Sequence, residues 1–165
     1  KAVANGYPLG VIGGKKEIMQ LFDAPVPEKR VLIAGTYNAH PVNTSAAIAT
    51  LEILEIPQVY EHISKVSNQL YEGLKKLYAE KGIAAVVSSN ASASCTYFCE
   101  ESPGDLHDIL LHHDFKFDLA YRKALIEKGI YVIPIPCKQN SVSYSHSEED
   151  INFTLEMTKE VLKSI

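Results

Sequence analysis

Between Pro57 and Gly82 the apolar residues Val59, Ile63, Val66, Leu70, Leu74 and Leu77 recur every three or four positions, which puts them on one face of a single long amphipathic helix. A helix with one apolar stripe has to cover another layer, so this run commits the second part of the chain to a layered domain. The residues that follow supply the layers. "IAAVVSS" and "ASCTYFCE" read as strands, "DLHDILLHH" as a short helix, "DLAYRKALIEKG" as a helix stopped by Gly129, and "IYVIPI" as a returning strand. In "SHSEEDINFTLEMTKEVLKSI" Ser147 stands three residues ahead of Asp150, a capping-box spacing, and Ile151, Leu155, Thr158, Leu162 and Ile165 form the inward face of a closing helix. Residues 58–165 are therefore expected to form a small α+β domain.

The first 57 residues read differently. A glycine-punctuated opening, "KAVANGYPLGVIGG", leads into a short helical stretch, "KKEIMQLFD", and the two prolines of "APVPEKR" mark an exposed loop. "VLIAG" is a short apolar run of the kind that forms a buried strand. "TYNAHPVNTSAAIATLEILEIP" predicts a helix that begins near Pro41, where proline suits the first turn, and stops before Pro57. The domain boundary is expected near Pro57.

With 165 residues, 46% of them hydrophobic and 22% charged, the composition is that of a folded α/β protein. A net charge of -4 with interspersed signs leaves no basic stripe to neutralise phosphates, so nucleic acid is not expected as a partner. The longest apolar runs fall far short of the roughly 20 residues that span a bilayer, and a cytoplasmic setting is expected. Cys95, Cys99 and Cys137 contain no CxxC pair and read as reduced, mostly buried side chains. His107, His112 and His113 cluster beside Asp108 and Asp114. Their spacing matches no metal-binding motif, so they read as a solvated helix end and no metal is expected. The opening glycines fit neither GxGxxG nor GxxxxGK[ST].

"KAVANGYPLGVIGGKKEIM" followed by "AGTYNAHPVNTSAAIATLEIL" resembles the class III aminotransferase family of pyridoxal-phosphate enzymes, most closely its glutamate-1-semialdehyde aminomutase branch. The ending "EKGIYVIPIPCKQNSVSYSHSEEDINFTLE" is similar to the C-terminal region of the same family. The resemblance runs nearly end to end. It implies an α/β chain forming the C-terminal part of a fold type I enzyme, with residues 1–57 completing the large cofactor domain and residues 58–165 forming the small domain. It also implies that Lys1 is the residue that covalently holds pyridoxal phosphate, and that Gly35 and Thr36 serve the cofactor's phosphate across a homodimer interface. The implied reaction is amino-group transfer, or its intramolecular aminomutase version, on a small amino acid or amino-aldehyde.

The chemistry needs such residues. A lysine amine can capture an aldehyde, be displaced by a substrate amine and then carry a proton. A hydroxyl beside a glycine at a helix entrance is an anion cradle. Where the aminomutase branch carries a glutamate before "AHTEED", this chain has Lys138. That change of sign favours an acidic substrate group or a different reaction; the alternative is a solvent-facing loop residue. His146 reads as structural, fixing the entry to the last helix. The family's other cofactor-gripping residues precede the lysine, so the resemblance implies that these 165 residues act only together with a preceding portion. The rival reading is a non-enzymatic α+β interaction domain in which Lys1 is inert.

Overall fold

The amphipathic run that follows Pro57 forms one unbroken helix in a computed structural model that describes residues 2–165. The chain divides into two compact units, Lys1–Pro57 and Gln58–Ile165. Each is built by different means.

The second unit starts from that helix, Pro57–Glu80, here α3; α1 and α2 belong to the first unit. Val59, Val66 and Leu74 are buried as the periodicity requires, and Ser67, Tyr71 and Tyr78 are buried beside them. The helix ends before Gly82, which adopts φ +65°. Strands β1 (Val86–Asn90) and β2 (Ala93–Tyr97) form an antiparallel hairpin in register from Val86↔Tyr97 to Asn90↔Ala93, and β3 (Asn140–Ser141) pairs antiparallel with the other edge of β2. Two further helices, α4 (Leu106–His112) and α5 (Phe115–Glu127), lie between β2 and β3 in sequence, and α6 (Glu148–Val161) closes the unit.

Its core is aromatic. The ring of Phe98 meets Tyr78 and Tyr121 edge to face, each at 5.5 Å between centroids, the geometry that the ring quadrupole favours. The Tyr78 hydroxyl donates to the Tyr121 hydroxyl at 3.0 Å, so two buried phenols satisfy one another. Gly73 lets α6 come close: a β-carbon there would lie 2.5 Å from Leu155 Cδ1.

At the start of α6 the Asp150 backbone N–H donates to Ser147 Oγ, and the Ser147 N–H donates to Asp150 Oδ2. Replacing Ser147 by alanine leaves a helix N–H without its partner and is expected to cost about 1 kcal/mol in denaturant unfolding. The bonds from the Ser147 backbone and side chain hold the Asp150 carboxyl below its usual range. A carboxylate whose folded pKa is depressed stabilises above its unfolded value and loses that contribution as pH falls through the folded one. The difference between the Ser147→Ala and unaltered proteins is therefore expected to shrink in acid.

Two strand expectations fail. "IYVIPI" forms no strand, because Pro134 and Pro136 have no N–H to give a ladder; Tyr131 in this run is exposed, and β2 takes Asn140–Ser141 as its partner instead. "VLIAG" in the first unit is also irregular, with Leu32 84% exposed. A strand requires a neighbour to accept and donate, and no second strand lies among the described residues of that unit.

In the first unit a turn of 3-10 helix, Ala2–Ala4, packs against α2 (Pro41–Leu54), and Ala4 is fully buried there. Asn43 on α2 donates from Nδ2 to the Pro8 carbonyl at 2.6 Å, which ties the glycine-rich opening to the same helix. The stretch expected to be helical after it is α1 (Lys16–Met19), continued by 3-10 turns over Gln20–Asp23. Arg30 closes the proline loop by donating from Nε and Nη2 to the Ala24 carbonyl. No helix among the described residues is long and apolar enough to cross a membrane.

Candidate functional site

Lys1 lies outside the described residues. The turn that follows it, Ala2–Ala4, is held by α2, and the turn carrying Gly35 and Thr36 leads into the N-terminus of the same helix. Asn38 N–H donates to the Gly35 carbonyl at 3.0 Å and His40 N–H to the Tyr37 carbonyl at 3.1 Å. Between them Ala39 sits at φ +53°, a conformation uncommon outside glycine. A β-carbon at Gly35 would lie 2.7 Å from Asn38 Oδ1, so a larger residue there would oblige the Asn38 side chain to move.

The entrance to α2 is left open. Pro41 occupies its first turn, and the N-cap, His40, makes no side-chain cap bond. The Thr44 hydroxyl is turned the other way, donating to the His40 and Pro41 carbonyls. Thr36 is exposed, and the buried His40 Nδ1 has no hydrogen-bond partner. The uncapped start of α2 leaves backbone N–H groups without a side-chain partner, and the exposed Thr36 stands in the turn just ahead of it.

Lys138 belongs to the second unit and is exposed. Its backbone is held by a network that the sequence did not reveal. Asp118, 0% exposed, takes Arg122 Nε on Oδ1 at 2.6 Å, and on Oδ2 it takes the Cys137 N–H at 2.7 Å and His113 Nε2 at 3.1 Å. Arg122, 3% exposed, donates from Nη1 to the Ile133 carbonyl and from Nη2 to the Lys138 carbonyl. The reading of the histidines as a solvated helix end is thus corrected for one of them. His107 and His112 are exposed, whereas His113 is buried, drawn in by the Asp118 carboxylate and by the Phe98 N–H, which donates to its Nδ1 at 3.0 Å. The signal was present but oblique: Asp118 and Arg122 are four apart on the helix face that also carries Tyr121 and Leu125.

Ligand atoms of His113, Asp118 and Cys137 lie within 4.8 Å of one another, close enough to raise the question of a metal. The hydrogen bonds answer against it. Because Nδ1 accepts from Phe98, Nε2 must carry the imidazole proton and has no lone pair for a cation, while Asp118 already faces a guanidinium. Burial, with the Asp118 charge added, pushes the Cys137 thiol up to about 11, so it is no nucleophile near neutral pH. All three cysteines are free. Cys95 lies in β2, whereas Cys99 follows its end at Tyr97 and is buried together with Phe98.

His146 fixes a turn ahead of α6: its Nδ1 accepts from the Ser143 N–H, and its carbonyl faces His62 Nε2 at 2.8 Å. Beside the network, a cavity of about 340 Å³ is walled by Leu74, Tyr78, Tyr121, Arg122 and Thr158. Gly35 and Thr36 therefore share one turn, and Lys138 stands on a separately anchored loop.

Comparison with known proteins gives a consistent result. The family model described as aminotransferase class-III matches residues 1–154. A glutamate-1-semialdehyde 2,1-aminomutase of Thermodesulfovibrio yellowstonii is 32% identical over 100% of this chain, which covers 38% of that protein. One from Desulfitobacterium hafniense is 30% identical, again over 100% of this chain and 37% of its own length. This chain thus spans little more than a third of the relatives it matches. Among solved structures, a transaminase with PLP bound superposes with a TM-score of 0.81 at 26% identity, over 99% of this chain and 37% of that one. An omega-transaminase from Sphaerobacter thermophilus gives 0.80 at 22% identity over 98% and 36%, a likeness of fold.

Proposed function

This chain belongs to the class III aminotransferase family, and we propose that it serves as the C-terminal part of a pyridoxal-phosphate enzyme that moves an amino group on a small amino acid or amino-aldehyde. The observation that carries the reading is the family match over residues 1–154, which includes the segment opened by Lys1 and the Gly35-Thr36 turn. Residues 1–57 are the end of the cofactor domain in this reading, and residues 58–165 are the small domain.

The residues present fit the cofactor's phosphate. The uncapped start of α2 and the exposed Thr36 just ahead of it are the kinds of groups a phosphate dianion takes. Pyridoxal phosphate, when bound, supplies an electrophilic aldehyde and an electron-accepting ring. The protein's contribution is then made by its own groups. Lys1 holds the cofactor covalently and afterwards carries the proton that the substrate carbon releases, which requires its amine to be neutral at that moment. Gly35 and Thr36 hold the phosphate, and do so for the neighbouring subunit of a homodimer, as the family resemblance implies. Lys138 faces an anionic group of the substrate. Three free thiols suit a reducing, cytoplasmic setting.

Transfer between two molecules is the first reading, because Lys138 replaces the acidic residue of the aminomutase branch. The aminomutase reading is favoured by the 32% identity to an enzyme of that name. Isotope-labelled amino donor mixed with an unlabelled keto acid acceptor separates them. With the whole subunit we expect labelled amine on the acceptor at catalytic rates; label confined to the donor's own rearranged product contradicts intermolecular transfer.

A further inference from the structure

We infer that Asp118 and Arg122 are positioning residues for Lys138, fixing the loop 133–138 so that the enzyme prefers substrates with a second carboxylate. The inference rests on reading Lys138 as substrate-facing.

The loop has little of its own to hold it. Pro134 and Pro136 cannot donate, and the turn is closed by Ile135 N–H on the Ile133 carbonyl at 2.8 Å and Lys138 N–H on the Ile135 carbonyl at 3.3 Å. Cys137 is held at φ +55°, a left-handed conformation that a non-glycine residue keeps only when its surroundings impose it. The surroundings are Asp118 and Arg122. Arg122 grips both ends of the loop through the Ile133 and Lys138 carbonyls, at 3.1 Å and 3.2 Å, and Asp118 grips the Cys137 N–H between them. Lys138 is thus pinned by its own carbonyl and by the amide of the preceding residue, while its side chain is exposed.

A core that needed only stability would be served as well by apolar side chains of the same volume, since two buried charges lose in desolvation much of what they gain in attraction. What the charged pair supplies is direction: a planar guanidinium sends parallel N–H groups to two carbonyls, a geometry no apolar residue and no lysine reproduces. His113 completes it by donating from Nε2 to Asp118, with its other nitrogen occupied by the Phe98 N–H.

Calorimetric binding of glutarate and of butyrate to the whole, cofactor-loaded subunit tests this. The two probes differ by one carboxylate. The unaltered protein is expected to prefer glutarate by about 10–150-fold, the size of a charge-assisted hydrogen bond, and Lys138→Met to abolish the preference. Asp118→Asn and Arg122→Lys are expected to reduce it to about 2-fold or less, and either combined with Lys138→Met should add nothing to Lys138→Met alone. Arg122→Lys keeps a cation beside Asp118, so its effect reads loop placement even where Asp118→Asn lowers the melting temperature. A preference unchanged in both variants, whatever their stability, overturns the positioning role and leaves the reading of Lys138 intact. An absent preference in the unaltered protein, or one that survives Lys138→Met, overturns the reading of Lys138 and the inference with it.

Discussion

Arg122→Met is expected to destabilise the protein by about 3–5 kcal/mol, because it leaves the Asp118 carboxylate buried without its cation. The loss extends beyond the pair, since the Ile133 and Lys138 carbonyls lose their donor in the same step. Replacing both partners, Asp118→Leu with Arg122→Met, removes the stranded charge and is expected to recover part of the loss. Recovery stays incomplete because the Cys137 N–H and His113 Nε2 are then without an acceptor. Urea unfolding of the unaltered protein, of Asp118→Leu and Arg122→Met alone and of the double variant measures this. Additive losses would contradict a coupled network, and so would a single variant within about 0.5 kcal/mol of the unaltered protein.

The second large effect concerns Lys1. In the whole subunit Lys1→Ala is expected to reduce turnover by roughly 10²–10⁴-fold, the range over which a positioned acid-base group acts. Added small primary amines should restore part of the rate, in proportion to the concentration of their neutral form, because what is missing is an amine that can take a proton. A variant that turns over normally contradicts the assignment. A variant that is inactive yet unresponsive to amines restricts Lys1 to holding the cofactor.

The sequence carried more about the helices than about the loops. The apolar face of α3 and the Ser147–Asp150 cap were legible because each is a local pattern with one structural solution. The family was legible because motifs at both ends of the chain occur in the same order. "VLIAG" and "IYVIPI" misled because an apolar run states only that burial is wanted, while a strand also needs a neighbour with free N–H and carbonyl groups. Leu32 has no such neighbour among the described residues of its unit, and Pro134 and Pro136 break the second run. The Asp118 network was illegible for a different reason. Its members come from the end of α4, from α5 and from loop 133–138, and a charged pair four residues apart on a helix ordinarily lies in water. Only the burial of Tyr121 and Leu125 on that face shows that it does not.

The most direct test of the enzymatic assignment is reduction of the cofactor-loaded subunit with sodium borohydride, followed by peptide mass mapping. We expect the phosphopyridoxyl group on the side-chain nitrogen of Lys1, in the peptide that contains "AVANGYPLGVIGG". An unmodified Lys1 in protein that carries bound pyridoxal phosphate, or the label on another lysine, would contradict it.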